Sequence, residues 1–566
     1  QDLSTSPSVS DRRMSIPSRL VMTLFSSVLL AVGIPTSEVV SAAVWWNPPG
    51  ATMHFPELEL TEIKEKKNTG ISFSGGGSRS FVVSMAQLLA LHELGLLGDT
   101  RYVTGVSGGN WAAALYSYRS PNISDDTLLG TWSRPSEITI EELSKIPAGC
   151  ARGSALSEMW ATVFEAFVHG KNMGVAWIDL IWQNYLKPYG ISGNASFAYP
   201  NITDKYGYEY ASYNTSRPYP ILSITTLGPD SLAPFPDPRL AYTSLEATPL
   251  YVGEAVTQNV TFYHERILRK DDTEVVTIGG FIEPFAFGGD VQPGYDPYAQ
   301  PPLAMRMRLE HAFTLKDAVG LSSMEPAGFV STHTPFSDAW LPRYTYVSPG
   351  DSSVRSQRFL FGDGGSVENV RLTGLIQRKV ASIVLFFNFQ TPLKPSSSFD
   401  PSTSYESDDL DEQLGYFFGV KPKDRKNVEH RLRDQVFPQS AFAPTVKALQ
   451  QAQATGRGAV TTTPLETVEN TWLGIEAGFR CNVTWVYLTR ASQWEAELSE
   501  EMRDLVVPKD NPDDPSSLRA NGPFKRFPNF NTYETLVQTA EQANLLSDLS
   551  AWVIHANKDL FVKALS

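Results

Sequence analysis

Three short segments of this sequence set a reactive or charged side chain among glycines, a combination that a fold alone does not require. In Gly105-Val106-Ser107-Gly108-Gly109-Asn110-Trp111 a serine stands between an apolar run and a stretch of small residues. Small neighbours let a serine take a strained strand-to-helix turn, a nucleophile elbow, with its hydroxyl exposed near a helix N-terminus. In Ser74-Gly75-Gly76-Gly77-Ser78-Arg79 three glycines let the backbone turn and present successive N–H groups, which suits a phosphate or a developing oxyanion. A plain glycine turn or a nucleotide loop would look similar, but the Lys-Ser/Thr of a P-loop and the G-x-G-x-x-G spacing are missing. In Phe361-Gly362-Asp363-Gly364-Gly365 an aspartate sits in what would, alone, be an ordinary tight turn. Beside a serine nucleophile it becomes a candidate base, and no histidine lies near it in sequence.

Each segment needs an element on either side. The apolar spacing predicts strands at Thr69–Ser74, Tyr102–Val106, Ile221–Leu227, Arg358–Phe361 and Ala381–Phe389. It predicts helices at Arg79–Leu97, with Val82, Met85 and Leu89 on one face, and from Gly108 to about Tyr118. The expected fold is α/β, with a mixed, largely parallel central sheet flanked by helices. Residues 50–566 are expected to form one catalytic domain with inserted segments. The Pro-, Gly-, Ser- and Asp-rich stretches 293–302, 395–411 and 508–523 are candidates for a cap or lid.

The formal charge of −14 argues against nucleic acid and against electrostatic docking on an anionic membrane. Residues 1–43 are expected to be an N-terminal extension with a signal peptide: Met14 as start, Arg19 as positive flank, Leu20–Ile34 as apolar region, and Ser41, Ala42 and Ala43 at the cleavage site. An uncleaved signal anchor and a buried core helix are the alternatives, since a spanning helix needs ~20 residues. Six N-x-S/T sequons, at Asn122, Asn194, Asn201, Asn214, Asn259 and Asn482, agree with a secreted or lumenal protein. The two cysteines, Cys150 and Cys481, would pair in an oxidising compartment or stay as buried thiols. No Cys/His cluster has metal-ligand spacing, so neither metal nor cofactor is expected.

The run from Gly70 to Trp111 resembles the catalytic core of the patatin and cytosolic phospholipase A2 superfamily, and Gly105–Trp111 is similar to fungal phospholipase B. Phe281–Gly288, the turn Gly320-Leu321-Ser322-Ser323 and the stretch Asp363–Val380 resemble further segments of that group, in order. The resemblance implies Ser107 as nucleophile, Asp363 as base, the N–H groups of Gly76 and Gly77 as oxyanion hole, and Arg79 opposite the lipid phosphate. Gly75, Gly105, Gly108, Gly109, Gly364 and Gly365 would support these motifs. It implies a calcium-independent phospholipase or lysophospholipase whose partner is lipid at a membrane or micelle surface. Ser78 and Ser80 stand where the family has an aromatic and an alanine, and Ala286 replaces its glutamate.

Two rival readings differ in chemistry. An α/β-hydrolase would use Ser107, Asp363 and either His430 or His555 in that chain order. A non-catalytic lipid-binding protein would keep the fold without turnover.

Overall fold

The fold follows from where the apolar runs lie, because a parallel strand covered on both faces must be apolar throughout. In a computed structural model, the described residues are 39–46, 53–157, 172–199, 209–232, 241–263, 273–291, 304–308, 313–325, 341–348 and 356–566. A 14-stranded mixed sheet has a parallel centre of five strands in the order Tyr219–Pro229, Thr100–Gly105, Lys67–Phe73, Ser382–Phe387 and Arg480–Tyr487. Ile71, Phe73, Val103, Ile383 and Phe386 within it are wholly buried. Antiparallel strands extend both sides: Thr243–Ala247, Val252–Tyr263 and Thr273–Ile282 on one, Ala459–Glu466 on the other. The expected mixed sheet is observed, with its parallel strands gathered in the middle.

The helix Gly77–Glu93 departs from the amphipathic expectation, since every residue from Gly77 to Leu91 is buried. It is sandwiched, and the C-terminal helix Ala540–Ala556 packs along it. Its polar residues are tolerated inside because they are bonded: Ser78 donates to Leu536 O (2.6 Å), Ser80 to Ser74 O (2.5 Å), and Gln87 Nε2 to Asn388 Oδ1 (2.9 Å).

A buried ionic cluster anchors the segment that follows Asp363. Arg378 meets Glu57 (2.7 Å) and Glu246 (2.6 Å), and Arg371 meets the other oxygen of Glu246 (2.5 Å). These contacts tie the helix Leu372–Gln377 to the strand Thr243–Ala247 and to the turn Pro56–Glu59.

Several expectations change. The chain divides into Gln1–Glu38, which lies outside the described residues, and a compact unit, Val39–Ser566. The strand Val39–Trp46 pairs with Thr273–Ile282 and with Ala304–Arg308, so a boundary at residue 43 would cut it in half. The apolar stretch Leu20–Ile34 and the candidate lid 293–302 lie outside the described residues. No helix among the described residues is long and apolar enough to cross a membrane. Residues 395–411 and 508–523 are pinned to the body: Gln450 donates to Lys394 O and Phe399 O, and Arg490 to Pro512 O, Asp514 O and Ser517 O.

The disulfide between Cys150 and Cys481 does not form; both are buried free thiols. Cys150 Sγ faces Leu129 O (3.6 Å) and fills the space over Gly130. Cys481 sits in a central strand opposite Leu465, where burial pushes its thiol up to about 12. Each sulfur is held by its own surroundings in a different part of the fold.

Removing Arg378 would leave two buried carboxylates without their main partner. Arg378→Ala is expected to lower the unfolding free energy by about 3–5 kcal/mol in urea titration; an unchanged midpoint would show the cluster to be dispensable.

Candidate active site

The strand Tyr219–Pro229 explains how residues far apart in sequence meet. On one edge its residues Leu222–Thr226 pair with Thr243–Ala247. Its other edge is shared by two strands in succession: Thr100–Gly105 runs alongside up to Leu222, and Ser356–Asp363 arrives from the opposite direction and stops at Ile224. Gly105 lies opposite Leu222 and Asp363 opposite Ile224, two ladder positions apart, or about 7 Å along the strand. The chain ends carrying the serine and the aspartate are therefore aimed at each other.

Ser107 has φ 51° and ψ −120°, a conformation that costs a non-glycine residue about 1–3 kcal/mol. It caps the wholly buried helix Gly108–Tyr118. The glycines around it are required by contact. A Cβ on Gly108 would lie 2.1 Å from Gly77 O, one on Gly109 would lie 2.5 Å from Phe73 O, and one on Gly105 would lie 2.5 Å from Gly109 C. Asn110 Nδ2 donates to Ser223 O (2.9 Å), locking this helix to the strand that positions Asp363.

The Ser107 side chain lies close enough to the Asp363 carboxylate to favour its ionised form. The same carboxylate accepts from Gly365 N–H (2.7 Å), and Thr225 Oγ1 donates to the Asp363 main-chain oxygen (2.7 Å). Gly364 lies so near Ser223 that a Cβ would come 2.8 Å from Ser223 O, and its N–H donates to Ser322 O (3.3 Å) in the expected Gly320–Ser323 turn. Burial and the negative charge of Glu325 push Asp363 up to about 7, against the Gly365 N–H, the Ser107 hydroxyl and Arg431. An acid titrating near neutrality is suited to accept a proton from an alcohol.

The glycine nest lies beside the elbow. Gly75 N–H donates to Asn369 O (3.0 Å), and a Cβ on Gly75 would be 3.3 Å from Ser107 Cβ. Gly76 and Gly77 have φ of 135° and 57° and open the helix Gly77–Glu93. The first N–H groups of a helix have no acceptor within it, and no side chain caps this one. Gly77 N would be 3.1 Å from a Cβ on Gly108, next in sequence to Ser107. An oxyanion formed at Ser107 would thus meet the positive end of a helix.

Arg79 is placed differently from what its expected role requires. It is 2% exposed, and its guanidinium donates to Asn388 O (3.0 Å), Phe530 O and Thr532 Oγ1 (2.8 Å). Burial pushes it down to about 9, against the charge of Asp411. In this conformation it braces the nest from behind.

Several positioning residues carried no recognisable sequence signal. Asn388 takes both nitrogens and oxygens into the brace: its N–H donates to Ser74 Oγ (2.9 Å), while its side chain bonds Ser84 and Gln87. Its sole hint is a polar residue directly after the apolar run Ser382–Phe387. Gln413 links Asn369 N–H (2.9 Å) to Asp434 (3.0 Å).

Of the rival histidines, His555 pairs with Glu93 (2.7 Å) and stacks on Trp132. Glu93 is the last residue of the 17-residue helix that begins at Gly77, so this pair lies about 24 Å from the nest at 1.5 Å per residue. His430 lies next to Arg431, at the head of the turn Arg431–Asp434. Asn122, Asn194, Asn214, Asn259 and Asn482 are exposed; Asn201 lies outside the described residues. No group of three or more His, Cys, Asp or Glu able to hold a metal occurs among the described residues.

No family model matches the chain. Cytosolic phospholipase A2 delta of Mus musculus is 32% identical over 117 residues, 18% of this chain and 14% of that protein. Part of the chain is thus similar in sequence to cytosolic phospholipases A2, and the match spans about a seventh of those relatives' length. Cytosolic phospholipase A2 beta of Homo sapiens is 31% identical over 118 residues, again 18% of this chain and 14% of the relative. The solved structure of human GIVD cytosolic phospholipase A2 superposes with a TM-score of 0.47 at 13% identity, covering 89% of this chain and 62% of that one.

The backbone contact between Gly108 and Gly77 yields a test. Gly108→Ala would push the elbow off the nest, and a misplacement near 1 Å costs about 10²-fold in rate. Labelling of Ser107 by a fluorophosphonate should slow by at least about that factor, with far-UV circular dichroism unchanged.

Proposed function

We propose that this chain is a serine acyl-hydrolase of glycerophospholipid or lysophospholipid esters. The observation that carries this reading is a strained Ser107 at a helix N-terminus, on a strand end aimed at that of the buried Asp363, whose ionised form the serine favours. Asp363 takes the proton as Ser107 Oγ attacks the ester carbonyl, and the N–H groups of Gly76 and Gly77 receive the oxyanion, worth about 3 kcal/mol per donor in acyl transfer. Breakdown of the tetrahedral species, with Asp363 returning that proton to the leaving oxygen, releases the alcohol and leaves an acyl-enzyme. Asp363 then draws a proton from the water that hydrolyses it. The similarity to cytosolic phospholipases A2 supports a lipid ester, and a substrate that brings its own apolar surface keeps the carboxylate dry enough to act as a base.

Ser107→Ala and Asp363→Asn should each abolish release of fatty acid from mixed micelles of diacyl- and lysophosphatidylcholine, while substitutions of His430 and His555 leave it intact. A wild-type protein that binds such micelles but resists fluorophosphonate would be the lipid-binding rival.

The base must be ionised to work, so the acid limb fixes the sign of the pH dependence. With Asp363 near 7, kcat/KM should rise tenfold per pH unit below that value and level off above it. Glu325→Gln removes a charge that raises Asp363, so the limb should move to lower pH.

Secretion is proposed from the sequons and the apolar stretch, although the relatives' names call those proteins cytosolic. Expression of a chain retaining residues 1–43 in a eukaryotic secretory host should give a mobility shift that N-glycosidase removes; an unshifted, intracellular product would overturn it.

A further inference from the structure

Arg431 opens the turn Arg431–Asp434, in a part of the chain that contributes no motif. Its Nη1 donates to Gly365 O (2.8 Å) and to Val367 O (2.7 Å). The first carbonyl lies within the turn Gly364–Ser366 and the second directly after it, the same turn that gives Asp363 its N–H from Gly365. One nitrogen of a guanidinium thus holds from behind the loop whose front holds the carboxylate.

The charges around it are unequal. Asp363 is faced by the Ser107 hydroxyl from the elbow helix, by Glu325 from beyond the helix Leu315–Leu321, by Tyr533 from the C-terminal segment, and by Arg431. Burial and the carboxylates of Glu325 and Asp363 push the Tyr533 phenol up to about 12, so at neutral pH it is uncharged. Arg431 also lies among Asp411, Asp434 and Tyr416, which its charge acts upon. Arg79 is a poor substitute, since its Nε and Nη1 are bonded to Asn388, Phe530 and Thr532, away from the Gly364–Ser366 turn.

We propose that Arg431 is a positioning residue for the reaction: it clamps the turn beneath Asp363 and supplies the positive charge that balances Asp363 against Glu325 when the base ionises. This rests on the acyl-hydrolase reading above. Arginine suits the place because its charge is permanent and its fork can grip two carbonyls while staying partly solvated.

The test is the pH profile of kcat/KM for a small neutral ester, p-nitrophenyl butyrate, with wild type, Arg431→Gln, Arg431→Lys, Glu325→Gln and the Arg431→Gln/Glu325→Gln double variant. Loss of a facing cation should move the acid limb of Arg431→Gln up by about one pH unit. Arg431→Lys, which keeps the charge, should restore most of that shift, and the double variant should return close to the wild-type limb. On the plateau, kcat of Arg431→Gln should fall about tenfold with KM little changed, as a loosened base requires. A uniform loss of rate with an unmoved limb would overturn the proposal, as would a rise in KM alone. If Arg431→Gln does not fold, Arg431→Lys against Glu325→Gln carries the same comparison. Absence of turnover and of fluorophosphonate labelling in the wild type would instead remove the underlying reading.

Discussion

The structure depends on two turns of the chain touching backbone to backbone with nothing between them. The turn after Lys67–Phe73 presents Gly77, the turn after Thr100–Gly105 presents Gly108, and any carbon added at Gly108 would fall on the Gly77 carbonyl. That approach is what lets free N–H groups of one helix lie beside a serine at the head of another. It follows from adjacent parallel strands ending level, with Phe73 opposite Gly105, and from a glycine at each place where the helices would otherwise be pushed apart. The third party, Asp363, reaches the same spot because its strand takes over the edge of Tyr219–Pro229 where Thr100–Gly105 leaves it.

Gathering ionisable groups in a dry place opposes stability. Burial raises Asp363 and Asp411 to about 7 and Asp434 to about 8, from an ordinary value of 3.8. A raised acid favours folding most when protonated. Its contribution is complete below 3.8 and is lost as pH climbs through 7 and 8, the window in which the base becomes active. The arginines that thread this region, Arg371, Arg378 and Arg431, offset the accumulating charge and are bonded to carbonyls or carboxylates.

What could be read from the sequence was local. The strand predicted at Thr69–Ser74 is Lys67–Phe73, that at Tyr102–Val106 is Thr100–Gly105, and the elbow helix begins at Gly108 as its small residues indicate. Buried parallel strands and glycine turns announce themselves through composition. The antiparallel strand Val252–Tyr263 does not, because its exposed Thr257 and Asn259 interrupt the apolar pattern. The helix predicted at Arg79–Leu97, with Val82, Met85 and Leu89 on one face, is Gly77–Glu93 and is buried on every face from Gly77 to Leu91, its polar side chains bonded to Leu536 O, Asn388 O and Ser74 O. Asn388 and Arg431 were illegible because each acts on partners dozens to hundreds of residues away, and nothing in its own neighbourhood marks it. The sequence left open whether the cysteines pair, because composition carries no distance; the structure has both as buried free thiols.

The brace behind the glycine nest has a bearing on the life of the molecule before it is finished. Arg79 is held by Phe530 and Thr532, and Ser78 by Leu536, so the first catalytic motif is secured by residues more than 450 positions later. A partly synthesised chain holds Ser107 and Asp363 but not the strut that sets the oxyanion donors against them. A ribosome-bound intermediate, or a fragment clipped before Phe530, carries the reactive groups without their alignment. On the acyl-hydrolase reading proposed above, the nest is braced only once the residues from Phe530 onward have joined the fold.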